Sequence, residues 1–365
     1  MTNPIRERSR SDLHGADEPS GSTPTAARNN PSTAATRASR SAPDYDRVGD
    51  APGYLEFLAN VGRGQEMERP VRMSQAERAE AIATRRADVE TRMRLDAFRA
   101  SFSGPYSVDG KPVHARPMFR MNGGANDVKL RAHEPELHAI CTRARVPAEA
   151  VGNAKVGRPT PEQLRQVTQA LIDAGKLSPG TDDSLDLRIR QLQWEWGIGV
   201  DCAGYTEQAA RAARGEKPKA PTHGDAFSGL SRDRTMRKVD VPDIRPGDVI
   251  HLDRPTPRDV GHNVIVYGHH VAGSEERTRL GTAMGVAAEP FLAGQGPFHV
   301  LEVDSSWGAG AHGGDYGGFR RDTWIYDEGS SRWGYLESST KAFMTSERGP
   351  HSEPYTGAFR PKGAS

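Results

Sequence analysis

One cysteine, one histidine and a pair of carboxylates occur in this chain in an order that suits nucleophilic attack on a carbonyl. The cysteine is Cys202, in Gly197-Ile198-Gly199-Val200-Asp201-Cys202-Ala203-Gly204-Tyr205-Thr206. The glycines mark a loop, and Glu207-Gln208-Ala209-Ala210-Arg211-Ala212-Ala213-Arg214, stopped by Gly215, reads as a helix. A thiol at a helix N-terminus sits at the positive end of the macrodipole, beside unpaired backbone N–H groups, and both favour thiolate over thiol. A thiolate nucleophile needs a base within hydrogen-bond reach and a third group that orients the base. His262 follows Gly261 at the head of the apolar run Asn263-Val264-Ile265-Val266-Tyr267, which fixes an imidazole near the end of a strand. Taken alone it is a weak pointer, because the chain has twelve histidines and most histidines are not catalytic. Asp304 ends a second strand-like run, His299-Val300-Leu301-Glu302-Val303-Asp304, and alternation puts Glu302 and Asp304 on one face. Either carboxylate would serve to accept the far N–H of His262, and the spacing does not choose between them.

Other candidate chemistry is thinner. Cys141, in His138-Ala139-Ile140-Cys141-Thr142, reads as an inert, partly buried thiol. Two cysteines make neither a disulfide framework nor a cysteine-rich zinc site. His262, His269 and His270 do not form a metal set, since a strand separates the first from the others and no fourth ligand is placed by spacing. Gly123-Gly124-Ala125-Asn126 lacks the lysine and following helix of a phosphate loop. No metal or cofactor is expected. Trp196 and Trp307 each lie within a few residues of a proposed catalytic group and are the tryptophans expected to face substrate.

The elements that must position these residues are legible in outline. Residues 1–70 read as a disordered leader, because Ser, Thr, Ala, Pro, Asn and Arg cannot bury enough apolar surface to offset ordering. Within it, Tyr54-Leu55-Glu56-Phe57-Leu58 is an apolar patch suited to a docking turn. Residues 71–129 hold a charged helix opened by the capping box Ser74-Gln75-Ala76-Glu77, then an irregular linker rich in Gly and Pro. The thin apolar stripe of that helix (Ile82, Val89, Met93) makes it a surface helix or arm. Residues 130–191 read as a helical subdomain. One helix begins near Pro135, a second starts at Thr160-Pro161 and stops at Gly175, and a third runs from Ser184 to Trp194. From residue 192 to 345 the period changes to alternating strands at 249–252, 263–267, 299–304 and 323–326, and residues 346–365 read as a C-terminal tail. Helix first and antiparallel strands afterwards is an α+β pattern. The glycine-rich stretch from Gly308 to Gly318 reads most simply as a flexible connection, and its place just after Asp304 also suits a lid over the cleft.

Four short blocks in order resemble the NlpC-type bacterial cysteine peptidases, a papain-like group. Val200-Asp201-Cys202-Ala203-Gly204-Tyr205-Thr206 is similar to their Asp-Cys-Ser-Gly block. Arg245-Pro246-Gly247-Asp248-Val249-Ile250 is similar to their Pro-Gly-Asp turn, and Gly261-His262-Asn263-Val264-Ile265-Val266-Tyr267 to the block that carries their base. Val303-Asp304-Ser305-Ser306 falls where the family has its third polar residue. The resemblance covers residues 192–340. It implies a papain-like fold with a nucleophile helix packed on a small antiparallel sheet, and hydrolysis of an amide through an acyl-thioester. It also implies Cys202 as nucleophile, His262 as base and acid, and Asp304 as orienter. Asp201 and Glu302 fall in supporting positions, and the Cys202 N–H contributes to the oxyanion hole. The chain departs from the pattern at Ala203, where serine is usual, at the acidic third residue, where histidine is frequent, and at Asn263, where an apolar residue is usual.

Composition narrows the partners. The formal charge of +1 over 365 residues gives no argument for nucleic acid or an anionic membrane surface. Only 35% of residues are apolar, the mean hydropathy is −0.70, and no run approaches a membrane span. The N-terminus lacks the apolar core of a secretory signal, so a protein made in the cytoplasm would leave it by a signal-peptide-independent route. The expected substrate is a peptide, foremost a peptidoglycan peptide. A second reading keeps the chemistry and makes the chain a toxin or effector that acts on a target-cell protein, with a secretion apparatus or an immunity protein as partner. A third makes it a catalytically silent peptide-binding module.

Overall fold

Local signals set the helices. Ser74 and Glu77 close a capping box, with Glu77 N–H donating to Ser74 Oγ at 3.2 Å and Ser74 N–H donating to the Glu77 carboxylate at 2.6 Å. They open α1 (Gln75–Ser101). Ile82, Val89 and Met93 are exposed, as a surface helix requires, but the last turns bury Leu95 and Phe98. The C-terminal part of α1 is therefore core, which corrects the reading of the whole element as an arm. A short hairpin follows, β1 (Tyr106–Val108) and β2 (Lys111–Val113).

A computed structural model describes residues 74–120, 126–179, 184–221, 234–253, 261–284, 296–308, 317–336, 343–350 and 354–362. The leader, its apolar patch and the centre of the proposed lid lie outside these residues. The described residues belong to one unit, Asp46–Ser365.

Four helices make the helical subdomain: α2 (Asp127–Arg143), α3 (Ala148–Lys155), α4 (Pro161–Asp173) and α5 (Leu185–Glu195). Helix α2 starts earlier than the sequence suggests and runs through Pro135, which forgoes one backbone bond without ending the helix. Helix α4 has the predicted Thr160 capping box, Pro161 at its first position, and Leu164, Val167 and Leu171 buried. Leu137, Ile140, Val151, Val167, Leu171 and Leu192 share one core with Cys141 and Trp196.

The segment around Cys202 starts α6 (Cys202–Ala213). The remainder is mostly sheet: β3 (Met236–Val239), β4 (Val249–Leu252), β5 (His262–Val271), β6 (Phe298–Trp307), β7 (Gly318–Asp327), β8 (Arg332–Leu336), β9 (Phe343–Ser346) and β10 (Tyr355–Pro361), with α7 (Ser274–Met284) between β5 and β6. They form one eight-stranded antiparallel sheet in the order β3-β10-β4-β5-β6-β7-β8-β9. Four strands occur where alternation predicts them. The segment read as a tail instead supplies β10, seated between β3 and β4. Its Gly357 and Pro361 are poor strand formers, so pairing on both edges makes it a strand. The chain is thus mixed helix and sheet.

Each strand divides its side chains between the two sheet faces. One face carries Val249, Ile265, Phe319 and Phe359, packed against Tyr205, Ala209 and Ala213 of α6 and Leu95 and Phe98 of α1. The other carries Ile250, Leu252, Val264, Val266, Val303 and Trp324. Residues 249, 265 and 319 therefore face α6, and residues 250, 252, 264 and 266 face away.

Candidate active site

Asp201 is extended (φ −89°, ψ 173°) and caps α6, its carboxylate accepting the Gly204 N–H. This makes Cys202 the first helical residue, half-buried, at the positive end of the helix dipole. The helix start is seated closely. The Asp201 N–H donates to the Gly157 carbonyl at 2.8 Å, and a Cβ on Gly204 would collide with that carbonyl and lie 2.9 Å from Asp201 Oδ1. Gly204 thus follows from backbone approach. Burial pushes the Asp201 carboxyl up to about 6, against the opposing pull of the Gly204 N–H and of Arg158, whose Nε lies 3.9 Å away. Cys141 contrasts with Cys202: it is 1% exposed in the helical core, and burial pushes its thiol up to about 11.

The turn before Cys202 is held from three sides. Val200 N–H donates to Met118 O at 3.0 Å and Arg120 N–H to Val200 O at 3.1 Å, a parallel bridge from the segment read as an irregular linker. Ser306 Oγ, on β6, donates to the same Val200 carbonyl at 2.7 Å. Thr206 Oγ1, one turn beyond Cys202 on the same side of α6, donates to Asn263 O at 3.1 Å, and Ser305 Oγ donates to that oxygen at 2.7 Å. Paired register between β5 and β6 begins only at Ile265 and Asp304. Where the ladder stops, hydroxyl groups take over and fasten the turn before Cys202 and the first turns of α6 to β6 and the start of β5.

The sequence-predicted partners separate at this point. His262 pairs in register with Leu252, and its ring packs against Trp307 with centroids 3.9 Å apart and planes tilted by 35°, so it shares the face that points away from α6. Trp307 is covered in turn by the Arg320 guanidinium at 4.6 Å. Asp304 turns to the α6 face. Its Oδ1 accepts from Arg321 Nε at 3.0 Å and Arg99 at 3.2 Å, and its Oδ2 from Arg321 at 2.8 Å. Arg321 also bonds Asp96 at 3.0 Å and lies over the Tyr267 ring. Asp304 and His262 thus point to opposite faces, and the acid is the hub of an arginine network joining α1 to β7. Glu302 pairs in register with Gly268, six positions along β5 from His262. Trp196 is packed in the helical core against His133, with ring centroids 4.8 Å apart and Lys176 Nζ 5.8 Å from its ring. Of the predicted substrate contacts, Trp196 and Trp307 are 6% and 5% exposed, so both are packing residues here.

The α6 face holds a histidine that sequence reasoning passed over. His251 of β4 and Asn263 of β5 are cross-strand partners, and His251 Nδ1 lies 2.8 Å from Asn263 Oδ1. The carbonyl oxygen accepts, so Nδ1 carries the hydrogen and Nε2 is the acceptor atom of the ring. The ring extends over Gly261, where a Cβ would lie 3.2 Å from His251 Cε1. The signal was present as two clues: a histidine two positions after Val249, and Asn263 where an apolar residue is usual. His269 and His270 are engaged elsewhere: His269 Nδ1 donates to Ile244 O at 2.8 Å and its Nε2 lies 3.0 Å from His299, while His270 lies 2.9 Å from Glu276. Among the described residues, no helix is long and apolar enough to cross a membrane. Comparison of the chain with protein-family models, curated proteins and solved structures finds no match.

Proposed function

We infer that this chain is a papain-like cysteine hydrolase that cleaves an amide bond through an acyl-thioester on Cys202. The observation that carries the reading is the seating of Cys202. It is half-buried at the first position of a capped helix, and that helix packs on the face of an antiparallel sheet that presents a histidine–asparagine pair. A buried structural thiol has no need of such placement, as Cys141 illustrates. The resemblance assigns the Cys202 N–H, at the positive end of the α6 dipole, to a developing oxyanion. The four-block resemblance directs the substrate to a peptidoglycan peptide. The reading is tested by incubating the purified protein with peptidoglycan and with peptides and identifying the products by mass spectrometry. Cleavage is expected for the native chain and loss of at least about 10³-fold for Cys202→Ala. Equal turnover by both proteins overturns it.

A further inference from the structure

We propose that the base of Cys202 is His251, held by Asn263 as its positioning residue, and that His262 is a packing residue. The proposal rests on the cysteine-hydrolase reading and assigns its second catalytic group.

Three observations carry it. First, the face is decided by alternation and packing together. Val249 and Ile265 pack against α6, so His251 and Asn263, two positions from each, project to the same side as the nucleophile helix. His262 projects to the other side, against Trp307 with the two rings tilted by 35°. Second, the position along the strand matches. Thr206 lies one turn after Cys202 on the same helical face, and its hydroxyl bonds the Asn263 carbonyl, while Ser306 bonds the carbonyl of Val200. The nucleophile turn is therefore pinned to the end of β5 at which the His251–Asn263 pair sits. Third, the pair has the chemistry that the role needs. Asn263 Oδ1 accepts the Nδ1 hydrogen at 2.8 Å and fixes ring and tautomer, so Nε2 is the atom that takes a proton. An amide orients the ring without adding a charge of its own to the pair. Gly261 leaves the space the ring occupies.

The reaction then balances. His251 Nε2 takes the Cys202 thiol proton, and the thiolate sulfur bonds the amide carbonyl carbon. The resulting oxyanion collapses, the C–N bond breaks, and the amine leaves with the proton from Nε2. Water, deprotonated by His251, attacks the thioester. The C–S bond breaks, the acid departs, and the sulfur recovers its proton.

The test is the pH profile of iodoacetamide alkylation at Cys202, followed by peptide mapping so that Cys141 is counted separately, together with amide turnover. Thermal melts establish that each variant is folded. The native chain is expected to alkylate Cys202 well below the pH range of a free thiol, near 8.5. In His251→Gln and His251→Ala the profile should move up to that range, and turnover should fall at least about 10²-fold. Asn263→Ala should weaken the low-pH limb, and Asn263→Gln should restore part of it. A profile kept in both His251 variants and lost in His262→Gln overturns the assignment while leaving the hydrolase reading intact. A native profile no different from a free thiol, with undiminished turnover in Cys202→Ala, removes the hydrolase reading and this assignment with it.

Discussion

Asp201 serves two ends that conflict. It caps α6, which a charged or neutral oxygen does equally well, and it is buried beside the thiol, which penalises the charge. Its carboxyl is raised to about 6, above the ordinary 3.8. Between these values the folded chain holds the proton more tightly than the unfolded chain does. The carboxyl's contribution to stability is therefore largest in acid and declines as pH rises through that window. Asp201→Asn keeps the cap acceptor and removes the titration. Denaturant unfolding at a series of pH values should show the variant gaining on the native chain by about 2 kcal/mol from pH 4 to pH 7. A constant difference between the two would show that Asp201 does not titrate there.

At the scale of elements, α6 is placed by contacts too close to allow a side chain. In an exposed helix Gly→Ala gains up to about 1 kcal/mol. Gly204→Ala reverses that sign, because the new methyl meets the Gly157 carbonyl. A loss of at least about 2 kcal/mol is expected by thermal or urea unfolding, with a larger fall in turnover as the helix start shifts. A stabilised variant would show that the approach relaxes freely. The end of α1 is the other support. Phe98 lies 5.6 Å from Tyr205 of α6 between ring centroids, and Phe102 meets Phe319 edge-on at 5.0 Å. Phe98→Ala should cost about 3–5 kcal/mol and weaken catalysis without touching the site.

Over the whole molecule, residues distant in sequence complete the sheet. Strand β10 joins β3 to β4, and the base proposed above sits on β4. Arg360 of β10 forks onto the buried Asp248, both contacts being 2.7 Å, at the turn that leads into β4. Removing residues 355–365 takes out an interior strand and leaves that carboxylate buried without its partner. The shortened chain should lose its cooperative unfolding transition in circular dichroism. A native-like melt would show that β3 and β4 close on each other without it. The arginine network of Asp304 works at the same scale, tying α1 to the sheet.

What the sequence determined by itself was local. The capping boxes at Ser74 and Thr160, the stop at Gly175, the helix start at Cys202 and the alternation of β4 to β7 all follow from interactions within a few residues, and each is present in the structure. Alternation also states which side chains share a face. It does not state which face meets the nucleophile helix, and in β5 it gives no hint, because Asn263 and Ile265 on one side and Val264 and Val266 on the other are all buried. With both faces dry, no polar stripe marks the side that α6 covers. Only the packing of Tyr205 and Ala209 against Val249 and Ile265 put His251 and Asn263 on the face that α6 covers and His262 on the other. Tertiary structure likewise made β10 a strand, since its Gly and Pro are offset by neighbours on both edges rather than by anything in its own seven residues.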